Sequence, residues 1–221
     1  MSGEVTLRKI VHGAWMLGVV VVMAGCASTA GSKPTASVVA APSTAAPSTA
    51  TASTAAANLL GLLSLPSGAS AWTDNTNAPM SLDAYIDDLY IPNAQANEKS
   101  LYSQRGFVSG AIEGWINPDN TQQSIAIARF ASANGATSAF DDLSNSLRQK
   151  SAPSVAFTDS ADGAVGSTDP QLDSDGNAFV DITARVGDYL IDVHEYTAAT
   201  PNPAAAKALL LEQVKALKNG S

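Results

Sequence analysis

The chain has 221 residues, with 12 basic and 20 acidic side chains, a net charge of −8, one cysteine and two histidines. This charge disfavours nucleic acid as a partner, because phosphate backbones are bound by basic patches. The single cysteine rules out an intramolecular disulfide, so any folded part must be stabilised by its core alone.

Residues 1–25 have the organisation of a bacterial export signal. Arg8 and Lys9 precede an uncharged apolar run from Ala14 to Met23. That run is well short of the ~20 residues that cross a bilayer as a helix. A polar, low-complexity sequence follows at once, without a basic cluster to stop transfer. The pattern favours a cleaved signal peptide, with a plain secretory signal or a membrane-spanning anchor as alternatives.

The signal ends at Ala24, Gly25 and the sole cysteine, Cys26. The stretch from Val20 to Cys26 resembles the lipobox of bacterial lipoproteins, although Met23 stands where leucine is usual. The resemblance implies that Cys26 carries a diacylglycerol thioether and palmitate and becomes the new N-terminus. It therefore predicts a protein anchored by lipid to the extracytoplasmic face of the cell membrane. The alternative for Cys26 is a buried free cysteine in a membrane-spanning helix.

Residues 26–57 are predicted to be the acylated cysteine and a disordered tether. Of the 31 residues from Ala27 to Ala57, 27 are Ala, Ser, Thr or Pro, and the motif Ala-Pro-Ser-Thr-Ala occurs twice in succession. Such a run has almost no large apolar side chain to bury and cannot offset its ordering entropy. The same composition is typical of O-glycosylated stalks. A lipobox followed by such a stalk resembles the lipoproteins of high-GC Gram-positive bacteria, the actinobacterial type.

Residues 58–221 are predicted to form one α+β domain, beginning with an apolar segment near Leu59. Ser81 is a suitable N-cap for a helix that runs to Tyr90, buries one apolar stripe and ends at Pro92. A strand is also expected over 154–158, and an acidic loop over 159–177.

Two hairpin–helix units follow from the alternation of apolar residues. The first unit joins strands over 107–116 and 124–130 to a helix over 134–147, and we expect Ile112, Ile125 and Ile127 on one face. The second joins strands on either side of the turn Gly187-Asp188 to a helix that begins at Pro203. These units predict an antiparallel sheet of about five strands with helices on one face, built from two ββα-like units.

The second hairpin places chemically active side chains together. Its register puts Asp181 directly across from His194, with Asp192 two residues along on the same face. One interpretation is a general acid/base pair or a pH-sensitive contact. The favoured one is a cross-strand ion pair on the open face of the sheet. A serine nucleophile is not indicated, because the sequence contains no Gly-x-Ser-x-Gly elbow.

Aromatic residues supply the candidate ligand-binding surface. Trp115 could be exposed beside Phe107 and Phe130, and Phe179 is expected to face Tyr196. An exposed aromatic surface on the open sheet face would suit a small molecule, lipid or glycan. The favoured interpretation of Trp115 itself, however, is that it packs beneath the apolar segment near Leu59.

No metal or cofactor is predicted. Asp173 and Asp175 match two positions of a calcium-binding EF-hand loop. However, Gln171 and Ile182 fall where that loop requires carboxylates, so a polar turn is favoured.

Three short segments of the domain resemble uncharacterised secreted proteins of actinobacteria: Arg105-Gly-Phe-Val-Ser-Gly, Arg129-Phe-Ala and Tyr196-Thr-Ala-Ala-Thr-Pro. The resemblance implies no activity and no catalytic residue. We therefore expect a non-catalytic, lipid-anchored ligand-binding module. A tethered structural or partner-binding envelope protein is the alternative, and an acid/base hydrolase centred on His194 and Asp181 comes third.

Overall fold

The computed structural model describes residue 59 and residues 66–71, 79–159, 163–172, 176–198 and 200–220. They form an α+β fold with one antiparallel sheet of seven strands in the order β1-β2-β3-β7-β6-β5-β4. The elements are β1 (Ser70–Ala71), α1 (Leu82–Leu89), α2 (Pro92–Gln104), β2 (Phe107–Ile116), β3 (Gln122–Phe130), α3 (Ala133–Arg148), β4 (Val155–Asp159), β5 (Ala164–Asp169), β6 (Ala178–Val186), β7 (Tyr189–Thr197) and α4 (Pro203–Gly220).

Helices cover both faces of the sheet, so the prediction of helices on one face is wrong. One face, the α4 face, packs Ile125, Ile127, Val180, Ile182 and Val193 against Ala206, Leu210, Val214 and Leu217 of α4. The other face, the α3 face, carries Ala126, Ala128 and Leu190 beneath α1, α2 and α3. The central strands β3 and β7 bury side chains on both sides, as strands in a sheet covered on both faces do.

The alanines of β3 hid its second buried face from the sequence prediction. Ile112 pairs with Ala126 and therefore shares its face, whereas Ile125 and Ile127 point to the α4 face. The prediction that Ile112, Ile125 and Ile127 share a face is wrong for this reason. Successive side chains of a strand alternate between faces, so the alanines between the isoleucines are also buried.

The register predicted for the second hairpin is confirmed, because Asp181 pairs with His194 and Phe179 with Tyr196. In the first hairpin Phe107 pairs with Phe130, but a bulge between Phe107 and Ser109 shifts the register beyond that pair by one residue. The predicted Ser81 cap is confirmed as well, because Ser81 accepts a hydrogen bond from the Ala84 amide. Asn202 accepts one from the Ala205 amide in the same way, at the predicted start of α4. Each of these features depends only on residues close together in the chain.

Three elements were missing from the prediction. Pro92 does not simply end a helix but lies in the first turn of α2, where proline is well tolerated. The acidic loop expected over 159–177 contains β5, and the two-residue strand β1 pairs with β2, so the described sheet has seven strands instead of about five. β5 is hard to recognise in the sequence because it contains Gly166, a residue that is uncommon in strands. Glycine is required there because a Cβ on residue 166 would overlap the ring of Phe157.

Candidate functional site

A row of polar side chains crosses four strands on the α3 face. The register places Ser124 of β3 opposite His194 of β7, His194 opposite Asp181 of β6, and Asp181 opposite Ser167 of β5. Ser124 and Ser167 are fully buried, and neither hydroxyl has a hydrogen-bond partner within the described part of the chain. We call Asp181, Asp192, His194 and Lys150 the histidine cluster.

Both ring nitrogens of His194 contact carboxylates. Its Nδ1 lies 2.7 Å from Oδ1 of Asp181, and its Nε2 lies 3.2 Å from Oδ2 of Asp192. The three side chains are only 13–15% exposed. The cross-strand pair is therefore present but does not lie on an open sheet face, because α3 packs over β3, β5, β6 and β7.

Lys150 completes the cluster from outside the hairpin. It follows α3 closely, and its Nζ lies 2.5 Å from Oδ2 of Asp181 and 5.0 Å from the ring centroid of Phe179. The cation is thus held by a carboxylate and an aromatic face together. Two cations and two anions balance in the cluster, as buried charges require.

The electrostatics keep His194 protonated. Burial lowers the pKa of a histidine, but the negative charge of Asp192 and the contacts with Asp181 outweigh burial and raise the pKa of His194 to about 10. Burial alone would raise the pKa of Asp181, yet Lys150 and His194 hold that pKa well below its usual range. An imidazole that is already protonated at neutral pH is a poor general base there.

The predicted aromatic residues do not form one surface. Trp115 is 1% exposed and lies in the α4-face core together with Leu59, which agrees with packing beneath the apolar segment. Phe107 and Phe130 lie on the α3 face and form an aromatic cluster with Tyr85 and Tyr102. The candidate ligand-binding surface of an exposed Trp115 beside Phe107 and Phe130 is wrong, because these residues lie on opposite sides of the sheet.

Tyr196 belongs to the α3 face as well. It is 8% exposed, and its ring centroid lies 6.2 Å from that of Phe179, the residue that Lys150 covers. Tyr196, Phe179 and the histidine cluster therefore lie on the same face, which the hairpin register had indicated.

A buried network on the α4 face had no counterpart in the sequence prediction. Trp115 donates to Oε1 of Gln123 at 3.2 Å, and Nε2 of Gln123 donates to Oε2 of Glu195 at 2.7 Å. Glu195 is 1% exposed, and burial raises its pKa even though the Gln123 hydrogen bond partly offsets the effect. Predicting this network from the sequence would have required knowing that β3 pairs with β7, and these two strands are distant in the chain.

An open groove lies at the β4 edge of the described sheet, between β4 and the start of α4. It has a volume of about 610 Å³ and is lined by Val155, Phe157, Thr158, Asp159, Thr168, Pro203, Ala204 and Lys207. We call it the edge groove. Val155 is 60% exposed there, and Lys207 forms an ion pair with Asp159.

Several predictions concern residues outside the described ranges. Cys26, the signal and the tether lie outside them, as do Asp173 and Asp175. Within the described ranges, no group of three or more His, Cys, Asp or Glu side chains is arranged to hold a metal ion. None of the helices described is both long and apolar enough to cross a bilayer.

Comparisons with known proteins give a distant structural likeness. No protein-family model matches this sequence, and no curated protein matches it. Among solved structures, the extracellular domain of PknH from Mycobacterium tuberculosis aligns at 14% identity with a TM-score of 0.44. The alignment covers 75% of this chain and 91% of that domain. A likeness of this size establishes neither a family nor a function.

Proposed function

We propose that this chain is a non-catalytic binding module, anchored by lipid on Cys26 at the extracytoplasmic face of the cell membrane. The observation that carries the proposal is the edge groove, an open, partly apolar surface beside a strand that has an exposed Val155. The signal, lipobox and stalk patterns support the anchor. At roughly 30 Å of flexible reach, the tether would lift the groove clear of the lipid headgroups.

The histidine cluster supports a non-catalytic role. An acid/base hydrolase at His194 would need a ring nitrogen with a pKa near neutrality, directed at a substrate or nucleophile. Here both nitrogens contact carboxylates and the pKa is raised to about 10. The charge balance of the four side chains is that of a structural network beneath α3.

The edge groove favours a macromolecular partner over a small ligand. The aromatic surface expected for a lipid or glycan is buried on two different faces, whereas the groove is open along the sheet edge. A small molecule is the second candidate, because the volume of the groove lies within the range of small-molecule sites, ~300–1,000 Å³.

Two experiments test this proposal. Cells that express the chain are labelled with a clickable fatty acid: the wild type should carry the label and Cys26→Ser should not. Label on Cys26→Ser, or none on the wild type, would disprove the anchor.

The binding role is tested by native mass spectrometry of the lipidated protein purified from its own envelope. We expect a bound species with the wild type and with the control Ala96→Asp, which changes an exposed position on α2. We expect its loss with Val155→Asp. A wild type without any bound species would overturn the proposal.

A further inference from the structure

The two edges of the sheet differ. The outer side of β2 is covered, because Ser70 and Ala71 of β1 pair with Ile116 and Trp115, and Met80 forms a bridge to Gly110. At the other end of the sheet, β5 pairs with β4 on one side, and no strand in the described part of the chain lies beyond β4.

β4 has few of the features that protect an edge strand. Natural edge strands carry lysine, proline, a bulge or inward charge, which prevent another chain from pairing with them. The sequence of β4 is Val-Ala-Phe-Thr-Asp, without lysine or proline, and its pairing with β5 is regular over all five residues. Its inward charge is confined to the last residue, Asp159, and is paired with Lys207. It is about 17 Å long, enough for a peptide to pair along it.

The edge groove would select among the side chains of a strand that pairs with β4. Val155, Phe157 and Asp159 lie on the side of β4 that faces the start of α4, and all three line the groove. Side chains of a strand alternate between two faces, so every second residue of an added strand would lie in the groove. Apolar side chains suit this position, because Val155, Phe157 and Pro203 line the groove.

The acidic charge near β4 indicates which residues an added strand would carry between its apolar side chains. From Val155 to Asn177 the sequence contains five aspartates and no lysine or arginine. Lys207 forms an ion pair with Asp159, so the sequence of residues 155–177, which contains β4 and β5, keeps an excess of four acidic side chains. Complementary charge steers association and disfavours acidic partners.

We propose that an extended polypeptide segment adds to β4 as a further strand, with apolar residues at alternate positions and Lys or Arg between them. This is β-strand addition, in which backbone hydrogen bonds provide affinity and alternate side chains provide specificity. The inference deepens the proposed function, on which it depends, by stating the chemistry of the partner.

The test uses the mature full-length chain and three synthetic peptides. The probe is fluorescent Lys-Val-Lys-Val-Lys-Val-Lys. The controls are its Glu-for-Lys counterpart and a version that is N-methylated at every residue, which removes the backbone donors along both edges of the peptide. We expect saturable binding of the probe by fluorescence anisotropy and at least tenfold weaker binding of both controls. Equal binding of the N-methylated peptide would overturn strand addition.

Hydrogen exchange then locates the bound peptide. The probe should slow amide exchange in β4, residues 155–159, and leave exchange in α2 unchanged, because only new backbone pairing protects an edge strand. Protection elsewhere without protection of β4 would overturn the proposal.

A matched pair of variants distinguishes strand addition from non-specific electrostatic attraction. Val155→Asp and Ala96→Asp each add one negative charge at an exposed position. Charge alone would make both bind the basic probe more tightly. Strand addition instead predicts at least tenfold weaker binding to Val155→Asp and unchanged or slightly tighter binding to Ala96→Asp. Equal gains in the two variants would contradict the proposal.

Two further outcomes distinguish a failure of strand addition from a failure of the proposed function. If Val155→Asp loses the species bound in native mass spectra but the probe never protects β4, the proposed function stands and strand addition is wrong. If the mature chain forms a concentration-dependent dimer in sedimentation velocity that Val155→Asp abolishes, the edge binds a second copy and the peptide proposal is wrong.

Discussion

Replacing His194 with glutamine should remove most of the pH dependence of stability between pH 6.5 and pH 10. In the folded chain the imidazolium lies 2.7 Å from Asp181 and 3.2 Å from Asp192, and these carboxylates raise its pKa to about 10. In the unfolded chain the same group has a pKa of about 6.5. The folded protein therefore keeps a proton that the unfolded protein releases as the pH rises.

The size of the effect follows from this difference. A histidine with a raised pKa contributes its full stabilisation below about pH 6.5 and loses it as the pH approaches 10. One pKa unit corresponds to about 1.4 kcal/mol, so the wild type should lose on the order of 3 kcal/mol between pH 6 and pH 9. On the acid side, the lowered pKa of Asp181 contributes stability above pH ~4 that is lost as the pH falls.

The assay is urea unfolding of the mature chain at half-unit steps from pH 5 to pH 9.5, with circular dichroism as the probe. We expect a falling free energy of unfolding for the wild type above pH 6.5 and a nearly flat profile for His194→Gln. Asp192→Asn should show an intermediate slope, because it removes the largest charge that favours the imidazolium. Parallel profiles for the wild type and His194→Gln would refute the reasoning.

Two further predictions concern the packing of α3 and α4. Gly135→Ala should destabilise the fold by about 2–4 kcal/mol, because its Cβ would overlap the carbonyl oxygen of Arg105, whereas the exposed Asn134→Ala should change stability by less than about 0.5 kcal/mol. Leu210→Ala, at a fully buried position, should cost about 2–5 kcal/mol and Glu212→Ala close to none. Urea unfolding at pH 7 measures both pairs, and equal losses within a pair would contradict the burial that the structure shows.

Local features of the fold were predictable from the sequence, because neighbouring residues determine them. A two-residue turn sets the register of its hairpin, so Asp181 could be placed opposite His194 without knowledge of the rest of the sheet. The same holds for Ser81, whose side chain caps a helix only three residues away. The apolar stripe of α4 likewise follows from a spacing of three and four residues.

The environment of the site was not predictable in the same way. His194 appeared to lie on an open face because nothing in its hairpin shows that α3 covers it. Lys150 reaches Asp181 from 31 residues away, and Gln123 reaches Glu195 from 72 residues away. These contacts exist only after β3 has paired with β7 and α3 has packed over both.

The amino-acid sequence by itself determined the hairpins, the helix caps and the α+β class, because hydrogen bonds and side-chain periodicity within a few residues decide them. Only the tertiary structure decided which side chains are buried and which strands lie at the edges of the described sheet. Burial depends on elements that are distant in the chain: α3 encloses the histidine cluster, the two faces separate Trp115 from Phe107 and Phe130, and the position of α4 forms the edge groove beside β4.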